Sequence, residues 1–134
     1  MYKHSTAALA LLAGAVLAAP ASAHPATLHL NATVYDVHAS KGVYSSKEKV
    51  YERTEKLGED FSSCTQPTSA TYHCTGSYKL MHGTILFSGT ISSSSNTNRL
   101  TITGGTGSYK DAKGTILTEY NKAGTKAKET ITFK

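Results

Sequence analysis

Residues 99–116 read Arg-Leu-Thr-Ile-Thr-Gly-Gly-Thr-Gly-Ser-Tyr-Lys-Asp-Ala-Lys-Gly-Thr-Ile, a pattern of strand, glycine-rich turn and second strand. Leu100 and Ile102 alternate with polar residues, which is the period of a strand with one buried face. Three glycines follow within four residues, namely Gly104, Gly105 and Gly107. Glycine tolerates positive φ angles, so this cluster predicts a sharp turn or the close approach of another backbone. A second alternating run begins after Gly114.

The glycine cluster does not fit a phosphate-binding loop. A dinucleotide-binding fingerprint places Gly-x-Gly-x-x-Gly at the start of a helix, and a P-loop ends in Gly-Lys-Ser/Thr. Neither pattern is present, and the glycines are followed by another strand. A structural turn remains, in which valine at Gly104 or Gly107 is expected to be more damaging than valine at Ser108.

Residues 104–114 resemble the Gly-Gly-Thr-Gly-x-Phe-x-x-Ala-Arg-Gly signature of the dirigent and allene oxide cyclase barrel family. The matching residues are Gly104, Gly105, Thr106, Gly107, Ala112 and Gly114, and Tyr109 keeps a ring in place of the phenylalanine. Lys113 replaces the arginine of dirigent proteins and lacks its bidentate guanidinium. The likeness continues upstream over residues 72–90. It implies a small barrel that binds or guides a hydrophobic or phenolic molecule, or alternatively a cofactor-free isomerase of the cyclase type.

Residues 1–23 have the composition of a secretory signal peptide. A short basic start precedes an apolar run over residues 7–19 and the small-residue site Ala21-Ser22-Ala23. The run is shorter than the ~20 residues of a membrane-spanning helix. We therefore expect cleavage before His24, a secreted single domain over residues 24–134, and no membrane contact after cleavage.

Charge and composition exclude a nucleic-acid-binding surface. The chain of 134 residues has a formal net charge of +5, but its lysines are scattered rather than clustered with aromatic residues. Lys126, Lys128 and Lys134 share one strand face, as a solvated outer surface would have them. The abundance of Thr, Ser and Gly favours strands and turns over helices.

The two cysteines predict one structural disulfide. Cys64 and Cys74 flank a turn-forming stretch over residues 66–70, so they can face each other across a hairpin. Their spacing is not the Cys-x-x-Cys of redox sites. A disulfide also agrees with an exported protein.

Alternation predicts eight strands, over residues 27–38, 47–57, 61–65, 71–80, 83–92, 99–103, 115–120 and 125–133. The charged run 47–57 is interpreted as an exposed or edge segment. Even spacing with tight turns favours an all-β, closed up-and-down antiparallel barrel, and an open sandwich is the alternative.

The alternation of side chains along the strands predicts that three polar residues lie on the inner face of the barrel. In the first strand the face of Leu28 continues to Asp36 and His38, and in the last strand Glu129 shares a face with Ile131. Residues 34–38 are also similar to the Val-Tyr-Glu-Ile-Asn segment of allene oxide cyclases. That resemblance implies that Asp36 replaces a charge-stabilising glutamate and His38 a water-positioning asparagine. The alternative is that both lie solvated at the barrel rim.

Tyr78 and Tyr120, with Glu129, are the candidate ligand-binding residues, although tyrosines also serve as ordinary barrel filler. Asp60 is expected in a turn-like polar stretch with no functional role. Scattered histidines predict no metal site, and no cofactor is expected. A small apolar or phenolic partner is expected, a homo-oligomer is left open, and Asn31 begins a glycosylation sequon.

Overall fold

A computed structural model describes residues 24–134 as eight strands, so the predicted signal peptide lies outside the described residues. The strands are β1 (Thr27–Ser40), β2 (Val43–Glu52), β3 (Glu55–Thr68), β4 (Thr71–Leu80), β5 (Gly83–Ser92), β6 (Thr97–Gly105), β7 (Gly114–Tyr120) and β8 (Lys126–Phe133). A single turn of 3-10 helix, Gly107–Tyr109, lies between β6 and β7.

Each strand pairs antiparallel with the next, and β8 pairs with β1 to close the sheet. The predicted all-β up-and-down barrel is confirmed, and the alternative sandwich is excluded. Closure leaves no strand of the described chain with an unpaired edge, which is how barrels avoid edge-to-edge association. None of the described residues forms a helix long and apolar enough to cross a membrane.

Alternate residues of every strand point into the barrel, as the period of two requires. The buried apolar side chains that fill it are Leu28, Leu30, Ala32, Val50, Cys74, Tyr78, Ile85, Phe87, Leu100, Ile102, Tyr109, Ala112, Ile116, Ala127, Ile131 and Phe133. An eight-stranded barrel has an interior just wide enough for side chains or one small ligand. Most of this interior is therefore a packed core.

The charged run 47–57 is not the exposed or edge strand that the sequence predicts. It spans the end of β2, a tight turn at Arg53–Thr54 and the start of β3, and both strands are paired on both sides. Arg53 has a positive φ of 55° in that turn without being glycine. Because the turn carries no glycine, proline or asparagine, the run reads as one strand in the sequence.

The glycine-rich motif closes one end of the barrel. Residues 106–113 fold over this closed end, where the rings of Tyr109 and Phe133 stack with centroids 5.8 Å apart. The amide of Ser108 donates to the carbonyl oxygen of His82 at 2.9 Å, which ties the segment to the β4–β5 turn. Ala112 is buried beneath it. The motif thus seals the barrel, and the end with the β3–β4 and β5–β6 turns is the open end.

Gly104 and Gly107, which the sequence pattern groups together, differ in their surroundings. Gly107 has a φ of +59°, and a Cβ there would collide with the carbonyl oxygen of His82. Gly104 has no positive φ, and the nearest atom to its Cβ would be Leu86 Cδ1 at 3.9 Å. The reason for expecting damage from valine at Gly104, which is a positive φ, is therefore wrong.

Gly107→Ala is expected to lower the free energy of unfolding by about 2 kcal/mol, since it combines a left-handed backbone with a steric clash. Gly104→Ala should change it by less than about 0.5 kcal/mol. Urea titrations of both variants measure the difference. Equal midpoints would contradict the conformation described for the closed end.

The predicted disulfide is present and joins β3 to β4. Cys64 and Cys74 face each other in register, with their Cα atoms 4.1 Å apart. The described chain holds no free cysteine. Closing a loop of this length contributes about 2–3 kcal/mol in the chain-entropy account. The bridge is a cross-strand staple near the open end.

Candidate functional site

A cavity of about 190 Å³ lies inside the barrel between its centre and the open end. Its apolar wall is formed by Phe87, Ile91 and Leu100 together with the Cys64–Cys74 bridge. Polar side chains from several strands complete the lining, namely Ser46, Ser62, Asn98 and Thr118. At its inner end the cavity meets Asp60, Tyr78, Tyr120 and Glu129. The site is thus an apolar pocket with an ionisable floor.

Three buried carboxyl groups gather at this floor, and we call them the acidic cluster: Glu48, Asp60 and Glu129. Glu48 on β2 and Asp60 on β3 are direct cross-strand partners, so their side chains point inward side by side. Glu129 reaches the same point from β8. One oxygen from each carboxyl lies within 4.8 Å of the others. Parity and barrel closure therefore bring together residues that are 69 positions apart along the chain from Asp60 to Glu129.

Two tyrosines donate hydrogen bonds to the acidic cluster. The hydroxyl of Tyr78 donates to Oε1 of Glu129 at 2.9 Å, and the hydroxyl of Tyr120 donates to Oε1 of Glu48 at 2.5 Å. The remaining buried oxygens Glu48 Oε2, Asp60 Oδ1 and Glu129 Oε2 have no hydrogen-bond partner among the described residues. Buried oxygens without a partner cost free energy, so this cluster is incomplete as it stands.

No positive charge offsets the cluster, because none of the described lysine or arginine side chains is buried. Burial and, to a lesser extent, the nearby charge of Glu48 raise the pKa of Glu129 to about 8, even though the Tyr78 hydrogen bond acts to lower it. Burial and the charges of Glu129 and Glu48 raise the pKa of Asp60 well above its usual range. Burial also raises the pKa of Glu48. Near neutral pH the cluster therefore holds protons that exposed carboxyls would have released.

The acidic cluster is also the one group within residues 24–134 that has the spacing of metal ligands. Hard cations such as Ca²⁺ take six to eight oxygen ligands in flexible cages. Here three carboxyl groups and two tyrosine hydroxyls meet, which is five groups against the six to eight oxygen ligands of such a cage. The donor set is thus short for a hard metal ion. Carboxyls with raised pKa values in an apolar pocket are, however, typical of binding and catalytic sites.

The structure brings three of the predicted site residues together. Tyr78, Tyr120 and Glu129 all line the cavity, and Glu129 lies inward as strand parity predicts, with 1% of its surface exposed. No bulge cancels that parity, since β8 pairs regularly with β7 and β1 over this region. Their role in ligand binding stays a prediction.

The predicted inner-face placement of Asp36 and His38 is wrong. A β-bulge between Val34 and Asp36 shifts the register, so that Asp36 pairs with the outward-facing Lys47. Asp36 then contacts His38 at 2.9 Å and Lys47 at 3.6 Å on the outer surface. An extra residue in one strand of a pair turns the following side chains to the other face. Any part of Asp36 and His38 in chemistry stays a prediction, and it would not be inside this cavity.

Glu48 and Asp60 are the site residues that the sequence interpretation misses. Asp60 is not in a turn but inside β3, with 5% of its surface exposed. A signal for both exists, because Glu48 alternates with Val50 and Asp60 alternates with Ser62 and Cys64. This alternation can be recognised only when the charged run is divided into two strands at the Arg53–Thr54 turn.

The motif residues take no part in the cavity. Gly104, Gly105, Thr106, Gly107, Tyr109, Ala112 and Gly114 all lie at or near the closed end, whereas the cavity faces the other way. Their role in this molecule is to connect β6 to β7 and to seal the core. The glycine-rich motif therefore belongs to the structural framework of the barrel and not to the cavity.

Comparison with known proteins finds no matching protein family and no matching curated protein, but several solved structures are similar, and two of them are described here. Pyocyanin demethylase superposes with a TM-score of 0.70 and 18% identity, over 81% of this chain and 99% of its own. AbnU, an exo-specific intermolecular Diels-Alderase, gives a TM-score of 0.64 and 11% identity, over 80% and 96% of the two chains. Both are small eight-stranded barrels, which is the fold shown here; neither is named as a dirigent protein or allene oxide cyclase, so that resemblance stays a prediction.

Proposed function

We propose that this protein binds a small, mainly apolar molecule of one or two rings inside its barrel. The observation that carries the proposal is the cavity itself, whose apolar wall ends at buried carboxyl oxygens that have no hydrogen-bond partner within residues 24–134. Such a pocket, apolar with a few convergent polar groups, is the usual form of a small-molecule site. A ligand with one polar end would fill the pocket and complete the hydrogen bonding of its floor.

The cavity volume limits the size of the ligand. A cavity of about 150 Å³ lined by apolar side chains accepts benzene, whereas sites for drug-sized ligands are about 300–1,000 Å³. At about 190 Å³ the present cavity accommodates one ring with substituents, or two rings if part of the ligand reaches the open end. Long acyl chains and large polycyclic molecules are outside this range.

The structural neighbours support a small-molecule role for the scaffold. One is named for demethylation of pyocyanin and the other for a Diels-Alder reaction, and both are processes of small molecules. The predicted resemblance to dirigent proteins favours phenolic ligands in the same way. The disulfide agrees with a protein that works outside the cell, and we propose secretion as its location.

Catalysis without a cofactor is the second candidate function. It is favoured by one observation, which is that Glu129 has its pKa raised to about 8 in an apolar pocket. A carboxyl group that remains protonated near neutral pH can donate a proton to a developing oxyanion, and a neighbouring carboxylate can accept one. An isomerase or cyclase would need only this proton exchange and a pocket that orients the substrate.

Ile91→Trp is expected to abolish ligand binding, because its larger side chain would occupy the apolar part of the cavity. Thr90→Trp is the matched control, since the neighbouring residue on β5 is exposed and lies on the outer face. A panel of one- and two-ring phenols, ketones and amines is screened by thermal shift, where a ligand that binds only the folded state raises Tm. The proposal fails if no compound shifts the wild type, or if Ile91→Trp responds to compounds as Thr90→Trp does.

A further inference from the structure

The acidic cluster has a property that the proposed function does not use, which is its uncompensated negative charge. In addition to burial, the charges of Glu129 and Glu48 raise the pKa of Asp60, and the charge of Glu48 raises the pKa of Glu129. Buried carboxylates in proteins are ordinarily paired with a cation or hold a proton. Within residues 24–134 every lysine and arginine side chain lies outside the buried core, so this part of the chain supplies no cationic partner.

We infer that the preferred ligand of this cavity is a compact organic cation whose ammonium group sits against Asp60 and Glu129 while its ring contacts the apolar wall. The inference rests on the proposed function and names the charge of the molecule that the pocket takes. Both carboxyl groups line the cavity, and Glu48 completes the cluster beside them. The unpartnered oxygens Asp60 Oδ1 and Glu129 Oε2 are the acceptors such a ligand would satisfy.

The spacing of the cluster fits an ammonium group. An ammonium nitrogen carries several N–H donors, and its charge-assisted hydrogen bonds to carboxylates are about 2.8 Å long. Acceptors arranged tetrahedrally around that nitrogen are then about 4.6 Å from one another. One oxygen from each carboxyl group of the cluster lies within 4.8 Å of the other two. A single nitrogen can therefore bridge the cluster without a rearrangement of the strands.

The walls distinguish an organic cation from a metal ion. A hard metal ion would be surrounded by oxygen ligands, but the cavity continues from the cluster along Phe87, Ile91 and Leu100. The ring of Phe87 also lies 5.4 Å from that of Tyr78, so two aromatic rings border the floor. Aromatic faces attract cations, and an apolar wall rewards the burial of a hydrocarbon ring. The pocket matches a molecule that has both features.

Ligand binding should also displace protons. The ionisable groups that face the cluster are Glu48 on β2, Asp60 on β3, Tyr78 on β4, Tyr120 on β7 and Glu129 itself on β8. The interior side chains of β1, β5 and β6 do not titrate: the buried ones include Leu30, Ile85, Phe87 and Leu100, and Asn98 in the cavity wall is a neutral amide. Burial raises the pKa values of both tyrosines, so they stay neutral donors. The cation therefore competes with the carboxyl protons alone, and its affinity should rise with pH.

Benzylammonium and benzyl alcohol are the probes, because they match in size and differ in charge. Binding to the disulfide-bonded protein is measured by calorimetry at about pH 5.5 and about pH 8. We expect benzylammonium to bind more than about tenfold more tightly at the higher pH, since the cluster releases protons over that range. The affinity for benzyl alcohol should differ by less than about threefold between the two pH values, because this ligand carries no charge.

Glu129→Gln tests the assignment of the cluster, since it removes one charge with little change of shape. It should lower the affinity for benzylammonium at about pH 8 by about tenfold or more, and change the affinity for benzyl alcohol by less than about threefold. Glu59→Gln is the matched control, because this neighbour of Asp60 faces solvent and forms an ion pair with the exposed Lys56 at 3.4 Å. The control removes the same net charge and should bind both probes as the wild type does.

Four outcomes of these experiments distinguish the inference from the proposed function and from a metal site. Charge-selective, pH-dependent binding that Glu129→Gln removes supports the inference. Equal or tighter binding of benzyl alcohol, unaffected by Glu129→Gln, overturns the inference and leaves the proposed function standing. If neither these probes nor the wider compound panel binds, the proposed function itself fails. If Ca²⁺ or Mg²⁺ raises Tm in a manner that Glu129→Gln abolishes, while benzylammonium has no effect, the cluster is a metal site and the inference is wrong.

Discussion

Raising the pH from about 5 to about 9 is expected to destabilise this barrel, and Glu129 is one of the buried carboxyl groups that cause the effect. In the folded state burial raises its pKa from 4.5 to about 8. Between these values the folded protein keeps a proton that the unfolded chain releases, so stability falls as pH rises. The stabilisation is fully present below 4.5 and is lost as pH passes through 8. A shift of this size corresponds to roughly 4–5 kcal/mol as an upper limit.

Urea titrations across this pH range measure the effect. Glu129→Gln should reduce the slope of the profile and be more stable than the wild type at the alkaline end, because a neutral amide has no proton to lose. Asp60, whose pKa is also raised, keeps part of the slope in this variant. Glu59→Gln should retain the wild-type slope, since the exposed Glu59 carboxyl has a solvated partner in Lys56. A wild-type stability that increases steadily from acid to alkaline pH would refute the buried, protonated cluster.

Tyr78 is expected to be the most sensitive single side chain of the site. It is completely buried and its hydroxyl donates to Glu129. Tyr78→Ala should cost about 3–5 kcal/mol, through lost burial and the cavity left behind. Because that loss is a large part of a small domain's stability, the variant can fail to fold. Tyr78→Phe keeps the ring and removes only the hydrogen bond.

The cost of Tyr78→Phe should depend on pH. Its hydroxyl lowers the pKa of Glu129, so its removal raises that pKa further. We expect a loss of about 1 kcal/mol near pH 5, where the carboxyl is protonated, and about 2–3 kcal/mol near pH 9, where a charged acceptor loses its donor. Tyr72→Phe is the control, since the Tyr72 hydroxyl makes no hydrogen bond among the described residues and its ring packs edge-on against Tyr44. A pH-independent cost for Tyr78→Phe would contradict the contact with Glu129.

The fold was predictable because its signals are local. Leu28, Leu30 and Ala32 alternate with polar residues, and alternation of this kind fixes both the strand and its buried face. Turn residues then divide the chain into strands of similar length, and antiparallel neighbours joined by tight turns close into a barrel. The cysteine pair added a register constraint across one hairpin, which the structure contains.

The site was less predictable because it depends on single-residue shifts. One extra residue at Tyr35 turns Asp36 outward, and no pattern in the sequence marks a bulge at that position. The turn at Arg53–Thr54 lacks the usual turn residues, so Glu48 and Asp60 were assigned to exposed segments. In both places tertiary closure of the barrel, rather than local preference, determines which face a side chain takes.

The separation of the closed end from the cavity bears on how such a protein can change. Residues 106–113 and Phe133 hold one end of the barrel, while Ser46, Ile91 and Asn98 border the cavity near the other. Substitutions that are far apart and share no partners tend to act additively. A combinatorial library restricted to the cavity wall can therefore be screened for new ligands without loss of the seal. For the same reason, related proteins can keep an identical glycine-rich motif and still differ in the ligand that they bind.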